Sequence, residues 1–354
     1  MRIAVGMSGG VDSSVSALLL KERGYEVIGV TLRFHKEVCE GLNVCCSPQD
    51  VRDAVKVSNM LGIPHLTLSW EEVFKNRVID YFINESLKGK TPNACAVCNR
   101  DVKTAFLAFY LKKVSDIDRL ATGHYVRKEE DKRYGTVLKR GRDISKDQSY
   151  FMALIPASSI EMLEFPLGNF TKEEVRNIAK MYKIPVSEKK ESQELCFLMG
   201  KKPGEFIEET VGKREGYIMH VSGKVIGKHR GFYHYTIGQR RGIGVSWHRP
   251  LYVIDIDPLE NLLIVGEEEN LYKDNLFLKE INFLVPENKW EDVQAQIRYR
   301  SKPLKVRDII KVKEGYRVIF EDKARGITPG QIIAFYDGSG EVLLGGGIIE
   351  RENH

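Results

Sequence analysis

The stretch "AVGMSGGVDSS", residues 4–14, is the feature that most narrows the fold. A β-branched run, "RIAVGM", leads directly into two glycines, and a helix-like segment begins just beyond them. Gly9 and Gly10 allow a tight turn and a close approach of backbone to ligand. Ser8, Asp12, Ser13 and Ser14 add polar groups at a helix N-terminus, where unpaired N–H groups and the helix dipole favour phosphate. A simple turn with an N-cap is the plainer alternative, but the strand before and the helix after favour a phosphate loop. The string is neither the G-x-x-x-x-G-K-[ST] loop nor the G-x-G-x-x-G dinucleotide fingerprint.

The first half of the chain alternates strand and helix patterns. "EVIGVTLRF" reads as a second strand. Between the two strands, Val15, Leu18 and Leu19 recur at helical spacing, and Gly24 stands as the stop. "PQDVRDAVKVSNMLG" is a helix opened by Pro48 and closed by Gly62, followed by the strand "HLTLSW". "EEVFKNRVIDYFINESLKG" reads as one further helix, and "RLATGHY" as a buried strand. Such alternation predicts a parallel sheet covered on both faces. After about residue 200 the pattern becomes all-β: "GYIMHV", "GKVIG", "PLYVIDID", "NLLIVG", "KVRDIIKVK", "YRVIFE", "QIIAFYD" and "EVLLGGGII". A chain of 354 residues is long enough for two or three domains. Composition shifts divide it into an α/β unit at 1–205, a small β-rich unit at 206–270 and a β-barrel unit at 271–354.

No apolar run approaches the roughly 18 residues needed to span a bilayer. The N-terminus lacks the longer apolar region and cleavage site of a signal peptide. The chain therefore reads as cytoplasmic, with no membrane partner. In that compartment a cysteine pair is reactive or metal-binding rather than a structural disulfide. Net charge is only +5, yet residues 201–250 hold ten Lys and Arg against four Glu. That local excess fits either a solvated surface or a face for a polyanion such as nucleic acid.

Six cysteines stand at 39, 45, 46, 95, 98 and 196. Cys39, Cys45 and Cys46 read as small loop or core residues. "CNRDVKTAFLAFYLKKV" reads as a helix with Val102, Phe106, Phe109 and Val114 near one face and Cys98 at its start, a position that favours thiolate. Cys196 follows Lys189 and Lys190, which would do the same. Of the side chains available at neutral pH, thiolates are the strongest nucleophiles, so a reactive role for these cysteines stands beside the bystander reading.

The S-G-G-x-D-S loop resembles that of the ATP pyrophosphatase (PP-loop) superfamily, which splits ATP between the α and β phosphates. The likeness then extends along nearly the whole chain to the bacterial tRNA-specific 2-thiouridylase family (MnmA/TrmU). It rests on "GMSGGVDSSVSALLL", "CCSPQDVRDA", "TPN…CN", "ATGHYVR", "KDQSYF", "ELCF", "YTIGQRRGIGV", "PLYVIDID", "RYR" and "TPGQ…FYDG…LGGGII", in that order. The resemblance implies an N-terminal adenine-nucleotide α-hydrolase-like domain, a small central tRNA-binding β domain and a C-terminal β-barrel.

It also implies ATP on Gly6, Met7, Ser8, Gly9, Gly10, Val11, Asp12 and Ser13, with Leu32 and Gly123 near the adenosine and Mg²⁺ at the phosphates. Asn93, Ala94 and Cys95 match the positions that meet the target base. His124, Lys146, Asp147, Gln148, Arg298, Tyr299 and Gln331 match positions that contact tRNA. Cys98 matches the nucleophile and Cys196 the carrier of a persulfide received from a cysteine desulfurase or sulfur-relay protein, the two closing into a disulfide after sulfur delivery. The implied activity is ATP-dependent 2-thiolation of the wobble uridine, releasing AMP and pyrophosphate. One departure stands out. The commonest family pattern is T-P-N-P-D-x-x-C-N, whereas this chain reads "TPNACAVCN", with Cys95 where the aspartate would be. Cys95, Cys98 and Cys196 could then hold a 4Fe–4S cluster that carries sulfide, as some related tRNA thiolases do. Rival readings are a small-molecule ligase on the same loop, or an RNA-binding module that keeps ATP as a structural ligand.

Overall fold

The strand Arg2–Gly6 is buried on both faces in the computed structural model, which describes residues 1–34, 48–190 and 195–352. Ile3 and Val5 pack with Val15, Leu18, Val57, Leu61 and Val175, whereas Ala4 belongs with Leu32, Phe74, Leu107 and Leu120. Two-sided burial of such a run is what a parallel sheet between two helical layers requires. Five strands run parallel in the order His65–Ser69, Glu26–Arg33, Arg2–Gly6, Arg119–Ala121 and Leu163–Glu164. The chain winds outward to one edge and then returns to the far side of Arg2–Gly6. The carboxyl ends of Arg2–Gly6 and Arg119–Ala121 thus flank the switch point, where doubly wound sheets leave a crevice.

The helices Val11–Glu22 and Pro48–Leu61 form where the spacing predicts them. In the second, Ala54, Val57, Ser58 and Leu61 are the inward stripe. The segment expected as a single helix from Glu71 is α-helical over Glu71–Phe74, π-helical over Lys75–Ile79 and α-helical again over Asp80–Leu87. Its buried residues Phe74, Val78 and Phe82 recur every four positions, wider than the 3.6-residue period of an α-helix, and the π turn absorbs the difference.

A second π turn corrects the reading around Cys98. That residue ends the short helix Ala94–Cys98, whose N-cap is Asn93, and the π segment Asn99–Lys103 joins it to the helix Ala105–Val114. Ala105, Leu107, Ala108 and Leu111 face inward there, while Phe109 and Val114 are exposed. Cys39, Cys45 and Cys46 lie outside the described residues.

Beyond the first sheet, four strands pair in the order Tyr252–Asp257, Leu262–Gly266, Gly216–His220 and Val225–His229. The last part of the chain closes into a barrel. Tyr272–Leu278, Gly315–Arg325, Leu304–Val312, Gln294–Gln296, Ile332–Tyr336 and Val342–Glu350 pair in turn, and Val342–Glu350 closes the ring against Tyr272–Leu278. Leu276, Leu278, Val318, Phe320, Ile333, Phe335 and Leu344 belong to its core. An unforeseen hairpin, Val126–Asp131 with Gly135–Arg140, leaves the nucleotide-type unit and adds to the barrel sheet through Leu138 opposite Leu343.

The barrel is locked to the α/β unit at one seam. The Thr91 N–H donates to the Pro329 carbonyl at 2.8 Å, and the Asn93 N–H to the Gly330 carbonyl at 3.0 Å. Gln331 Nε2 donates to the Thr91 carbonyl at 2.8 Å, and the buried Tyr150 hydroxyl to the Ile332 carbonyl at 2.8 Å. Gly330 has φ +89°, and a Cβ there would lie 2.9 Å from the Thr91 carbonyl carbon. Gly135 also has positive φ, +80°, but faces open space. We therefore expect Gly135→Ala to lower the unfolding free energy by about 1 kcal/mol, the cost of left-handed backbone alone. Gly330→Ala should cost about 3 kcal/mol or more, since it also pushes the seam apart. Denaturant unfolding of the two variants side by side checks the difference.

Candidate active site

The phosphate-type loop is held by its own hydroxyls and by two lysines from afar. Gly9 has φ +67°, and a Cβ there would lie 2.4 Å from the Asp50 carbonyl oxygen, so only glycine fits. Ser13 Oγ accepts from the Ser8 N–H at 3.2 Å and donates to the Gly10 carbonyl at 3.1 Å. Ser14 Oγ donates to the same carbonyl at 2.8 Å. The Asp12 carboxylate takes the Lys172 ammonium at 2.7 and 2.8 Å and the Tyr125 hydroxyl at 2.9 Å. A Cβ on Gly123 would lie 2.8 Å from the Ser13 nitrogen, so the end of the fourth strand can approach the helix only as glycine.

These parts enclose a cleft of about 320 Å³ at the switch point, within the range of small-molecule sites. Nine of the ten residues expected at ATP line it, Gly9 being the exception. Sequence reasoning missed Lys103, Asp50, Thr122, Lys189 and Lys190, which also line it. Lys189 and Lys190 had been read as neighbours of Cys196. Instead Lys189 Nζ donates to the Gly9 carbonyl at 3.0 Å, to Asp50 at 2.7 Å and to Asp53 at 2.6 Å. Burial alone would lower the Lys189 ammonium, but the two carboxylates outweigh it and hold the group above its ordinary value.

The residues expected at tRNA separate into distinct surroundings. His124 lines the cleft, its Nδ1 2.8 Å from Thr122 Oγ1. Desolvation, with Lys103 nearby, pushes it down to about 3, so the imidazole is neutral. Gln148 also lines the cleft and accepts from the Tyr125 N–H at 3.1 Å. Asp147 is buried and fully engaged. It pairs with Arg140 at 2.8 Å and accepts from the Gly141 N–H, the Ser149 N–H and the Ser149 hydroxyl. Its role is therefore to shape the turn. Lys146 and Tyr299 line a second cleft together with Arg140, Tyr150 and Arg300. Tyr299 packs on Phe151 at 4.6 Å between ring centroids, and the Arg300 guanidinium sits over Tyr299. Arg298 Nη2 donates to the Ile237 carbonyl at 2.8 Å, the Gly326 carbonyl at 2.7 Å and the Thr328 hydroxyl, tying the central unit to the barrel. Gln331 belongs to the Thr91 seam.

The thiols differ in setting. Cys95 is exposed, Cys98 is buried in the apolar cluster that includes Phe74, Phe82 and Phe197, and Cys196 is half-buried against that cluster. Asn93 Oδ1 accepts from the Ala96 N–H at 3.0 Å, capping the turn that carries Cys95 and Cys98. The dipole argument for thiolate does not hold at Cys98, which ends its helix. A 4Fe–4S site needs three thiolates converging on one point. Among the described residues no group of three or more His, Cys, Asp or Glu side chains is placed to hold a metal. The cluster expected on Cys95, Cys98 and Cys196 is therefore not assembled, and no step is derived through one. Also among the described residues, no helix is long and apolar enough to cross a membrane.

A doubly wound sheet carrying this serine–glycine loop at its switch point, followed by a small β unit and a closed barrel, defines an enzyme architecture of the PP-loop class. Three family models match in succession: "tRNA methyl transferase HUP domain" over residues 1–200, "tRNA methyl transferase PRC-barrel domain" over 204–267 and "Aminomethyltransferase beta-barrel domain" over 273–349. The chain is 63% identical to the tRNA-specific 2-thiouridylase MnmA of Aquifex aeolicus (strain VF5), over 99% of both chains. It is 52% identical to that of Persephonella marina (strain DSM 14350 / EX-H1), covering 99% of this chain and 100% of the relative. A further match, 54% identical over 99% and 100%, is the protein of the same name in Hydrogenobaculum sp. (strain Y04AAS1). The chain belongs to the MnmA family of tRNA-specific 2-thiouridylases.

Two outcomes follow from the geometry. An unfolded histidine, near 6.5, binds a proton more readily than His124 at about 3, so falling pH favours the unfolded chain across that window. We expect the melting temperature of His124→Gln, relative to the parent, to rise as pH falls from 6.5 toward 4. Asp147→Ala leaves Arg140 with its carboxylate partner removed and should cost about 3–5 kcal/mol, read by denaturant unfolding.

Proposed function

We propose that this chain is an ATP-dependent tRNA-uridine 2-sulfurtransferase acting on the wobble position, and that the cleft at the switch point binds ATP. The observation that carries the reading is the cleft itself. The loop residues Ser8, Gly10, Val11 and Asp12, at the N-terminus of Val11–Glu22, and the lysines at 103 and 190 line one volume whose wall also carries Leu32 and Gly123. Such a site suits a polyphosphate beside an apolar-walled base. The "methyl transferase" wording of the family models describes a chemistry that a phosphate-binding loop does not serve.

The uridine must leave its stack, because C2 and O2 are inaccessible within it. Asn93, Ala94 and Cys95 receive the base. Its O2 attacks the α-phosphorus of ATP, forming the O–P bond as pyrophosphate departs. Asp12 supplies the hard oxygen donor suited to Mg²⁺, which, when bound with ATP, neutralises charge on the departing pyrophosphate. Loop N–H groups stabilise the same charge. The terminal sulfur of a Cys196 persulfide then attacks C2, and AMP leaves with the original oxygen. Cys98 thiolate attacks the Cys196 sulfur, breaking the S–S bond to the delivered atom. This frees 2-thiouridine and leaves a Cys98–Cys196 disulfide for an external dithiol to reduce. A cysteine desulfurase or relay protein restores the persulfide.

Lys146, Tyr299 and Gln331, with His124 and Gln148 at the cleft, meet the anticodon stem-loop. Arg298 and Asp147 position the surfaces around them. Asp12→Ala is expected to lower thiolation by about 10²-fold or more, while tRNA affinity stays within threefold of the parent. The readout is 2-thiouridine by nucleoside mass spectrometry, with ATP, a sulfide source and tRNA supplied. Full-rate thiolation with an ATP analogue that cannot be cleaved between the α and β phosphates would overturn the scheme.

A further inference from the structure

Lys189 has three N–H donors, and all three are placed. They reach the Gly9 carbonyl at 3.0 Å, Asp50 Oδ1 at 2.7 Å and Asp53 Oδ2 at 2.6 Å. An ammonium has no further donor to offer a ligand. Although Lys189 lies on the cleft wall, its charge is therefore committed to the protein. The partners are informative. Asp50 and Asp53 stand in the first turns of Pro48–Leu61, and the Asp50 backbone is the surface against which Gly9 is pressed. Gly9 is also the loop residue that does not line the cleft. Fastening its carbonyl to Lys189 fixes that peptide plane, and with it the direction of the Gly10 N–H on the other side of the same plane.

We propose that Lys189 is a positioning residue for the phosphate loop: it fastens the Gly9 carbonyl and the start of Pro48–Leu61 to one point, so that the loop's N–H groups are held ready for the nucleotide. The neighbouring cation Lys190 lines the same cleft, as does Lys103. Lys189 also precedes Cys196 by only seven residues. This inference rests on the reading of the cleft as an ATP site.

The test uses the full chain and compares Lys189→Met, Lys189→Arg, Asp53→Asn and the double variant Lys189→Met/Asp53→Asn. ATP affinity is measured by calorimetry with the α,β-non-cleavable analogue, and steady-state thiolation is followed against ATP and against tRNA. Lys189→Met should raise the KM and Kd for the nucleotide by about 30-fold, with kcat within about threefold and the KM for tRNA unchanged, since a displaced loop weakens binding contacts. Lys189→Arg keeps charge and donors and should recover most of the loss. The double variant should bind no worse than Lys189→Met alone, because Asp53 acts on the loop through Lys189. It also removes one of the unpaired carboxylates left by Lys189→Met, so a folding defect in the single variant is separated from a binding defect. Unchanged nucleotide affinity in Lys189→Met, or strictly additive losses in the double variant, would overturn the assignment. Failure of the parent chain itself to bind the analogue would instead sink the ATP reading.

Discussion

A loop that offers its N–H groups to a ligand cannot use them to hold itself, and that constraint organises this structure. Backbone donors left unpaired are expensive unless solvent or a ligand meets them. Apart from the Ser8 N–H, which Ser13 Oγ accepts, the loop after Arg2–Gly6 is therefore fixed from the other side, through its carbonyls and side chains. Ser13, Ser14 and Lys189 take carbonyls of Gly9 and Gly10, while Lys172 and Tyr125 fix Asp12. The braces come from well-separated parts of the chain, so the loop acquires its shape only after the sheet, Pro48–Leu61 and Lys172–Met181 have assembled. Rigidity at the site is a tertiary property.

The same logic extends to the barrel. Its strand Ile332–Tyr336 receives the Tyr150 hydroxyl, and the preceding turn receives Thr91 and Asn93. The short helix that carries Cys95 and Cys98 starts at Asn93, so its placement depends on residues more than two hundred positions away. Arg140 reinforces the arrangement from the hairpin, pairing with Asp147 and lying 3.7 Å over the Tyr336 ring. A C-terminal unit that only bound RNA would have no reason to hold the thiol-bearing turn. One that holds it couples the position of Cys95 and Cys98 to the barrel.

Local patterns made much of this legible. Burial on both faces of "RIAVG", the stripe in "PQDVRDAVKVSNMLG" and the β-rich run after residue 216 all follow from periods that neighbouring residues enforce. The π turns were not legible, because they reconcile a four-residue spacing with packing that only the folded neighbours define. The hairpin at 126–140 was missed for a similar reason: Val126, Val137 and Leu138 are buried only because its strands meet the rest of the fold, Leu138 lying opposite Leu343. The nucleotide site was readable where glycine and serine carry the signal. It was unreadable at Lys189 and Lys172, since a lysine's partner cannot be inferred from its neighbours in the chain. The cysteines showed the converse limit. Spacing suggested a cluster on Cys95, Cys98 and Cys196, and three-dimensional placement of the described residues does not assemble one.

The distribution of charge explains how one fold can serve both a nucleotide and a much larger polyanion. At the switch point the acidic groups Asp12, Asp50 and Asp53 are matched by Lys172 and Lys189. That pairing confines the site's remaining positive charge to a few positions aimed at one small ligand. Over residues 201–250 ten Lys and Arg stand against four Glu, and the ion pairs of those cations, Lys201 with Glu209 and Arg249 with Glu269, are exposed. A compact, compensated site gives geometric selection for a triphosphate, whereas a diffuse uncompensated face gives attraction at a distance that salt screens. The two kinds of recognition therefore differ in range. Under the proposed function, a long-range attraction of that kind would gather the RNA, while the short-range one sets where chemistry begins.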